Sequence, residues 1–423
     1  MNNREQVAWL ARRAAFGLAP GELDRLADRG ADAYLETLVA PELHGIAAGG
    51  DPWSGLTFSD DPTKRRAEGL ALAERWLAHQ AGTPRPLVAA MTWFWHDHFA
   101  VSYTQVKSTQ PFSRYLTLLS KHALGDFRQL VTEISTDAAM LIFLDGTTST
   151  GTAPNENYGR ELLELYTIGI GNFTEADVRA AAAALTGWVV RPRDDYSTLF
   201  VRSRHNTAAQ TLLGKSVTDV ATVVDAAVRH DACAPFIAAK LAAWFLGPDY
   251  DTASLAGFAK VFRDNNLAIA PLVRAILRAG LDGAGGELVL APLPWLVAAQ
   301  KSLGVNLDTG TAYRYLTAAG QAPLTPPNVG GWPGPAAWLG SSATATRVSM
   351  ASALVDLAPA ASPVLKAAAV GDLATLASLL GRPGGFTPAT RDALTAFAAT
   401  KPAGKAGAAV TAVALASPDL LVA

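Results

Sequence analysis

Residues 153–171 read APNENYGRELLELYTIGIG, and the period of this stretch decides how the rest of the chain is read. If a helix starts near Asn155, then Tyr158, Leu162 and Leu165 recur at i, i+4 and i+7 and make one apolar stripe. Glu156, Arg160 and Glu164 fall at i, i+4 and i+8, a charge ladder on one edge. Asn157, Glu161 and Glu164 form a second polar line. Gly169 and Gly171 stand where such a helix should stop. Two readings of the crowded first turn stay open. An exposed ladder would contribute only a few tenths of a kcal/mol per pair. A buried network would have Asn155 and Asn157 cap the helix, Arg160 clamp a carboxylate, and Glu156 or Glu161 face a cavity, a costly arrangement that active sites tend to keep.

The same helical period extends outward in both directions. It predicts helices over about 63–81, 86–100, 111–122, 126–141, 175–186, 219–229, 233–246, 252–265, 269–279, 290–303, 308–319 and 342–357, with short pieces after 362. TEAD at Thr174–Asp177 is a capping box. One stretch departs from the period: WVVRPRDDYSTLFVRSRHN (188–206) places branched and aromatic residues around a turn, a β-hairpin inserted between helices. A second irregular stretch, LTPPNVGGWPGPAAWLGSS (324–342), is rich in Pro, Gly and Trp. No fixed-period repeat interrupts the chain. The expected fold is mainly α, a large multi-helix orthogonal bundle with a small β-hairpin insertion. It would form one domain over 1–423, with 358–423 as a candidate C-terminal helical subdomain.

The totals narrow the function classes. The chain has 423 residues, half of them apolar, and a net charge of -2, which leaves no electrostatic case for nucleic acid as a partner. The single cysteine, Cys233, excludes an internal disulfide framework and thiolate-rich metal sites. The N-terminus lacks an apolar signal core, so a cytoplasmic setting is expected. The longest uncharged run, Tyr315–Thr346, is broken by Pro and Gly, so no membrane span is expected.

Chemistry-bearing groups cluster in a few places. In MTWFWHDHFAVS (91–102), His98 lies in line with Leu87, Met91 and Phe94, while His96 lies with Ala89 and Trp93 on nearly the opposite side. The two rings cannot bind one metal ion unless the helix ends near Asp97. They read either as hydrogen-bonded core histidines or as ligands and acid–base groups. In TDAAMLIFLDG (136–146), Asp137 fits a helix cap and Asp145 a turn, and either could also lie beside the 155–164 segment. The hairpin arginines 191, 193, 202 and 204 suit a charged edge or an anion site. His205 and Asn206 close the hairpin, and Trp332 and Trp338 with Arg347 could line a pocket mouth. Nucleophile-elbow, phosphate-loop, dinucleotide and zinc-helix motifs are all missing, as is the acidic pair of metal–diphosphate chemistry.

In their order, LARRAAFG (10–17), RPLVAAMTWFWHDHF (85–99), TDAAMLIFLDG, PNENYGRELLELYTIG (154–169), FTEADVRAAAAALTGW (173–188), HDACAPFIAAKL (230–241), PPNVGGWPGPAAWL (326–339) and ALASPDLL (414–421) resemble the bacterial family known as domain of unknown function 1800, DUF1800. The resemblance implies a large, mostly helical bacterial protein. It implies relatives that are often exported and encoded beside a sulfatase- or phosphatase-like protein, a candidate partner. Against that pattern, Asp97 replaces a common Asn, Ala138 a Pro, Gly146 an Asn, and Asn206 an Asp. If a His–Asp pair orients an imidazole in relatives, His205 has a neutral partner here.

The resulting expectation is an enzyme with a polar pocket that acts by metal-assisted or acid–base chemistry on a small molecule or glycan fragment. His98, His96, Glu156, Glu161 and Arg160 are its candidate catalytic residues. Asn155, Asn157, Trp188, His205, Trp332 and Arg347 are the candidate substrate-binding residues. His98, Glu161, Asp137 and Asp145 are the candidate ligands of a divalent metal (Zn, Mn, Fe or Mg). The alternatives are a non-catalytic scaffold for the sulfatase- or phosphatase-like partner, and isoprenoid cyclisation in an aromatic-lined helical cavity.

Overall fold

The computed structural model describes residues 1–50, 52–56, 58–59 and 61–423. Helices dominate, and two antiparallel hairpins are the only named sheets among the described residues. The first hairpin pairs Trp188–Arg191 with Ser197–Phe200, where the alternation of branched residues placed it. A second, Gln210–Leu212 with Lys215–Val217, is too short to show a period of two in the sequence.

Helix starts follow local chemistry. Asn2 with Glu5, Thr174 with Asp177, and Asp219 with Thr222 all form reciprocal capping boxes. The Asn3–Ala14 helix was not anticipated. The single helix expected over 126–141 is two, Phe127–Ile134 and Ala138–Phe143. The break falls where the Asp137 carboxylate accepts from the N–H groups of Ala139 and Met140 and so begins a new helix. The 153–171 segment is a short α-helix, Asn157–Glu161, that continues as a π-helical stretch, Leu162–Thr167.

Pro86–His98 runs through the core, with Pro86 at its first position and Leu87, Met91, Trp93, Trp95, His96 and His98 all buried. Trp93 stacks on Trp76 at 5.1 Å and on Trp332 at 4.8 Å between ring centroids. Aromatic faces at these separations add attraction beyond their buried area. One apolar cluster continues from Val7 to Leu421. The C-terminal helices join it through the Trp295 indole N–H, which donates to the Leu415 carbonyl at 3.1 Å, and through a bridge between Val289 and Val422. No described helix is long and apolar enough to cross a membrane.

Candidate functional site

A cavity of about 320 Å³ opens beside the C-terminal end of the Pro86–His98 helix. That volume is at the lower end for small-molecule sites. Its walls are aromatic, with Trp93, Phe94, Trp244, Trp332 and Trp338. The ionisable groups in the lining are Asp97, His98, Lys240, Arg12 and Arg13.

Three elements bring the polar groups together. Asp97 and His98 come from the last turn of the 86–98 helix, and Lys240 is the one charged residue of the Cys233–Leu246 helix. The third contribution comes from main chain. His98 Nε2–H donates to the Tyr166 carbonyl at 3.0 Å, and Lys240 Nζ donates to the Leu165 carbonyl at 3.2 Å. Both carbonyls lie in the last turn of the π-helical stretch, where helix carbonyls lack partners of their own. With Nε2 protonated, His98 Nδ1 carries the lone pair, and it accepts from Lys240 Nζ at 3.3 Å. Burial, reinforced by the Lys240 charge, holds the His98 imidazole well below its ordinary range, so it is neutral at pH 7.

Asp97 faces the same space. Its Oδ1 accepts from the Trp332 backbone N–H at 2.7 Å, and burial lifts its carboxyl to about 6 despite that bond and the Lys240 charge. Gly331, at φ +90°, makes the contact possible, because a Cβ there would lie 2.6 Å from the Asp97 carbonyl oxygen. Burial also lowers Lys240, with the Asp97 charge opposing the shift. Lys240 forms no ion pair closer than 4 Å among the described residues. Its remaining contact is with the Phe236 ring at 5.0 Å.

Apart from Trp332, the other expected site residues lie elsewhere. Arg160 grips Glu175 with both terminal nitrogens at 2.8 and 2.7 Å, and reaches Glu156 at 3.5 Å. All three side chains are 35–62% exposed, so this is a surface clip and not the buried network. It closes the approach of two helices whose backbones meet at Gly159, where a Cβ would stand 3.1 Å from Ala182 N. Asn155 accepts from the Asn157 N–H two residues on, but the N-cap of the helix is Glu156, without a side-chain cap bond, and the Asn157 side chain is exposed. Glu161 is half-buried, and burial together with Glu164 raises its carboxyl. His96 is sealed among Trp76, Phe112, Tyr115 and Trp332, and burial drops it to about 3. Its Nδ1–H donates to the Tyr115 hydroxyl at 3.0 Å, which in turn donates to the Phe99 carbonyl.

Trp188 packs on Phe200 in the hairpin. His205 faces the carbonyls of Thr186 and Thr218 at 2.9 and 3.0 Å. Asn206 turns its side-chain oxygen to the Ala208 N–H, so it is not the partner of that ring. Trp332 and Trp338 do line the cavity. Arg347 lies behind it, donating to the carbonyls of Trp338 and Leu290, with burial lowering it to about 10.

The divalent-metal expectation is not supported. Among the described residues no group of three or more His, Cys, Asp or Glu side chains could hold an ion. His98 spends both nitrogens on Tyr166 and Lys240, Asp137 spends Oδ1 on a helix start, and Asp145 occupies a left-handed turn position at φ 57°. Sequence reasoning also missed four of the ionisable lining groups, Asp97, Lys240, Arg12 and Arg13. Asp97 entered it as a marker of the helix end and as a replacement for a common Asn. Lys240, a lone charge in an apolar 14-residue helix, was the available signal.

A family model described as "Protein of unknown function (DUF1800)" matches residues 9–422. No curated protein and no solved structure matches the chain.

Proposed function

The chain belongs to the DUF1800 family, and on that premise we propose that it is an enzyme acting on a small, partly apolar molecule by proton transfer in the Asp97–His98–Lys240 cavity. The observation that carries this reading is one aromatic-walled space holding a carboxyl at about 6 and an amine lowered by burial. A carboxyl near 6 both gives and takes a proton at neutral pH, which is what a general acid–base group needs. The aromatic lining suits a planar ring or the apolar face of a sugar. His98 positions Lys240 from the side away from any charge of its own.

Isoprenoid cyclisation shares the aromatic lining. The cations Arg12 and Arg13 beside the same space weigh against it, since they would repel a carbocation. The scaffold reading draws on Leu199 and Phe200 of the first hairpin, which are 43% and 41% exposed, as a surface for the sulfatase- or phosphatase-like partner. On that reading Phe200→Asp abolishes association and leaves small-molecule binding intact.

The enzyme reading is tested by thermal unfolding against a panel of phenols, aromatic alcohols and monosaccharides. A ligand at a hundred times its Kd should add about 2.7 kcal/mol of stability. Ala243→Phe, which fills the cavity, should remove that gain while the protein stays folded. Equal stabilisation of the filled variant, or none of either protein, defeats the proposal.

A further inference from the structure

We infer that Lys240 is a nucleophilic amine that captures an aldehyde or ketone as an imine, which makes carbonyl compounds the substrate class of this cavity. The inference rests on the cavity being the functional site. Its own basis is a count of valences. A neutral amine has two N–H bonds and one lone pair. Two acceptors face Lys240 Nζ, His98 Nδ1 at 3.3 Å and the Leu165 carbonyl at 3.2 Å. They take both N–H bonds and leave the lone pair as the only unassigned valence. An ammonium would instead carry a third N–H with no acceptor within hydrogen-bond distance among the described residues.

The charge environment agrees. Among the described residues no carboxylate pairs with Lys240 closer than 4 Å, and Arg12 and Arg13 stand in the same lining. Both arginines are occupied by carbonyls, Arg13 by Phe245 and Gly286 and Arg12 by Asp419 and Val422, so neither takes the amine's place. Asp97 is the one acid in the lining and opposes them. Amines that are desolvated or set near other cations are the ones that form imines at neutral pH.

The chemistry balances without an oxidant or a metal. The amine lone pair adds to the carbonyl carbon, the C–O π bond breaks, and the oxygen takes a proton from Asp97. The nitrogen then passes one proton through that carboxylate to the leaving oxygen and gives its second proton back to the carboxylate. Water departs, the C=N bond remains, and Asp97 recovers its starting state.

The test uses the full chain with benzaldehyde and cyanoborohydride at pH 7, followed by peptide mapping of the benzylated lysines. Labelling at Lys240 roughly tenfold faster than at any exposed lysine supports the inference. Benzyl alcohol, which has no carbonyl, should slow labelling of Lys240 and of no other lysine. Asp97→Asn should slow labelling at Lys240 by a larger factor than it weakens benzyl alcohol binding read by tryptophan quenching. If benzyl alcohol binds but aldehyde label spreads evenly over surface lysines, the imine is overturned and the cavity reading stands. If neither compound engages the cavity, both fall.

Discussion

The backbone N–H of Trp332 donates to Oδ1 of Asp97 at 2.7 Å, so the same carboxylate that faces the cavity also holds the Pro- and Gly-rich loop which forms one of its walls. Loop docking and, on the proposed function, proton exchange are thereby tied to one group. Altering either side of this bond should be felt at the other.

Gly331→Ala tests the docking side. The new Cβ would collide with the Asp97 backbone as well as its side chain, at a φ that disfavours any Cβ. A loss of about 2–4 kcal/mol in denaturant unfolding is expected, with a change in tryptophan emission as Trp332 leaves Trp93. Wild-type stability with unchanged emission would show that the loop docks by other means.

Asp97→Asn tests the titrating side. The folded carboxyl, near 6, lies above its ordinary 3.8, so between these values the native state binds more protons than the unfolded chain. Stability from this group is full below about pH 4 and is lost as pH rises through 6. Asp137, raised to about 7 by burial, acts in the same direction. The Asn variant should therefore flatten the decline between pH 4 and 6, by at most about 3 kcal/mol and less where water reaches the carboxylate. Parallel pH profiles for the two proteins would refute the assignment.

Lys240→Met leaves His98 Nδ1 and the Leu165 carbonyl without their donor. A cost of about 1–3 kcal/mol is expected. Combined with His98→Phe, the double variant should be less destabilised than the sum of the two, because both changes break the same contact. Strict additivity would mean that the 3.3 Å contact carries no coupling.

Arg160→Ala should matter little. Its bidentate pair with Glu175 is solvent-exposed, so a loss of about 1 kcal/mol or less, shrinking further at high salt, is expected. Ligand stabilisation of the cavity should be unchanged. A variant that folds normally but loses it would return this charged turn to the functional site.

The helical architecture was legible because amphipathic period, capping residues and stop glycines are local signals. Thr174 with Asp177, and Gly169 at φ 79°, do in the structure what their sequence positions imply. The split at Asp137 was hidden because a capping Asp inside an apolar period looks like one more polar position. The site was half legible. His98 and two of the cavity tryptophans, Trp332 and Trp338, stood out by residue type. The conspicuous acids of 156–164 misled, because charge density on a helix turn does not reveal whether the turn faces water. Lys240 meets His98 across 142 residues, a pairing that no spacing rule encodes.

The π-helical stretch Leu162–Thr167 winds one residue more per turn than its neighbours would. Removing a single residue there would restore ordinary winding and swing the Leu165 and Tyr166 carbonyls about 100° around the axis. His98 and Lys240 would then face bare helix flank. The whole alignment of imidazole and amine is thus stored in one surplus link of backbone, an indel-sensitive setting that no side-chain exchange could replace.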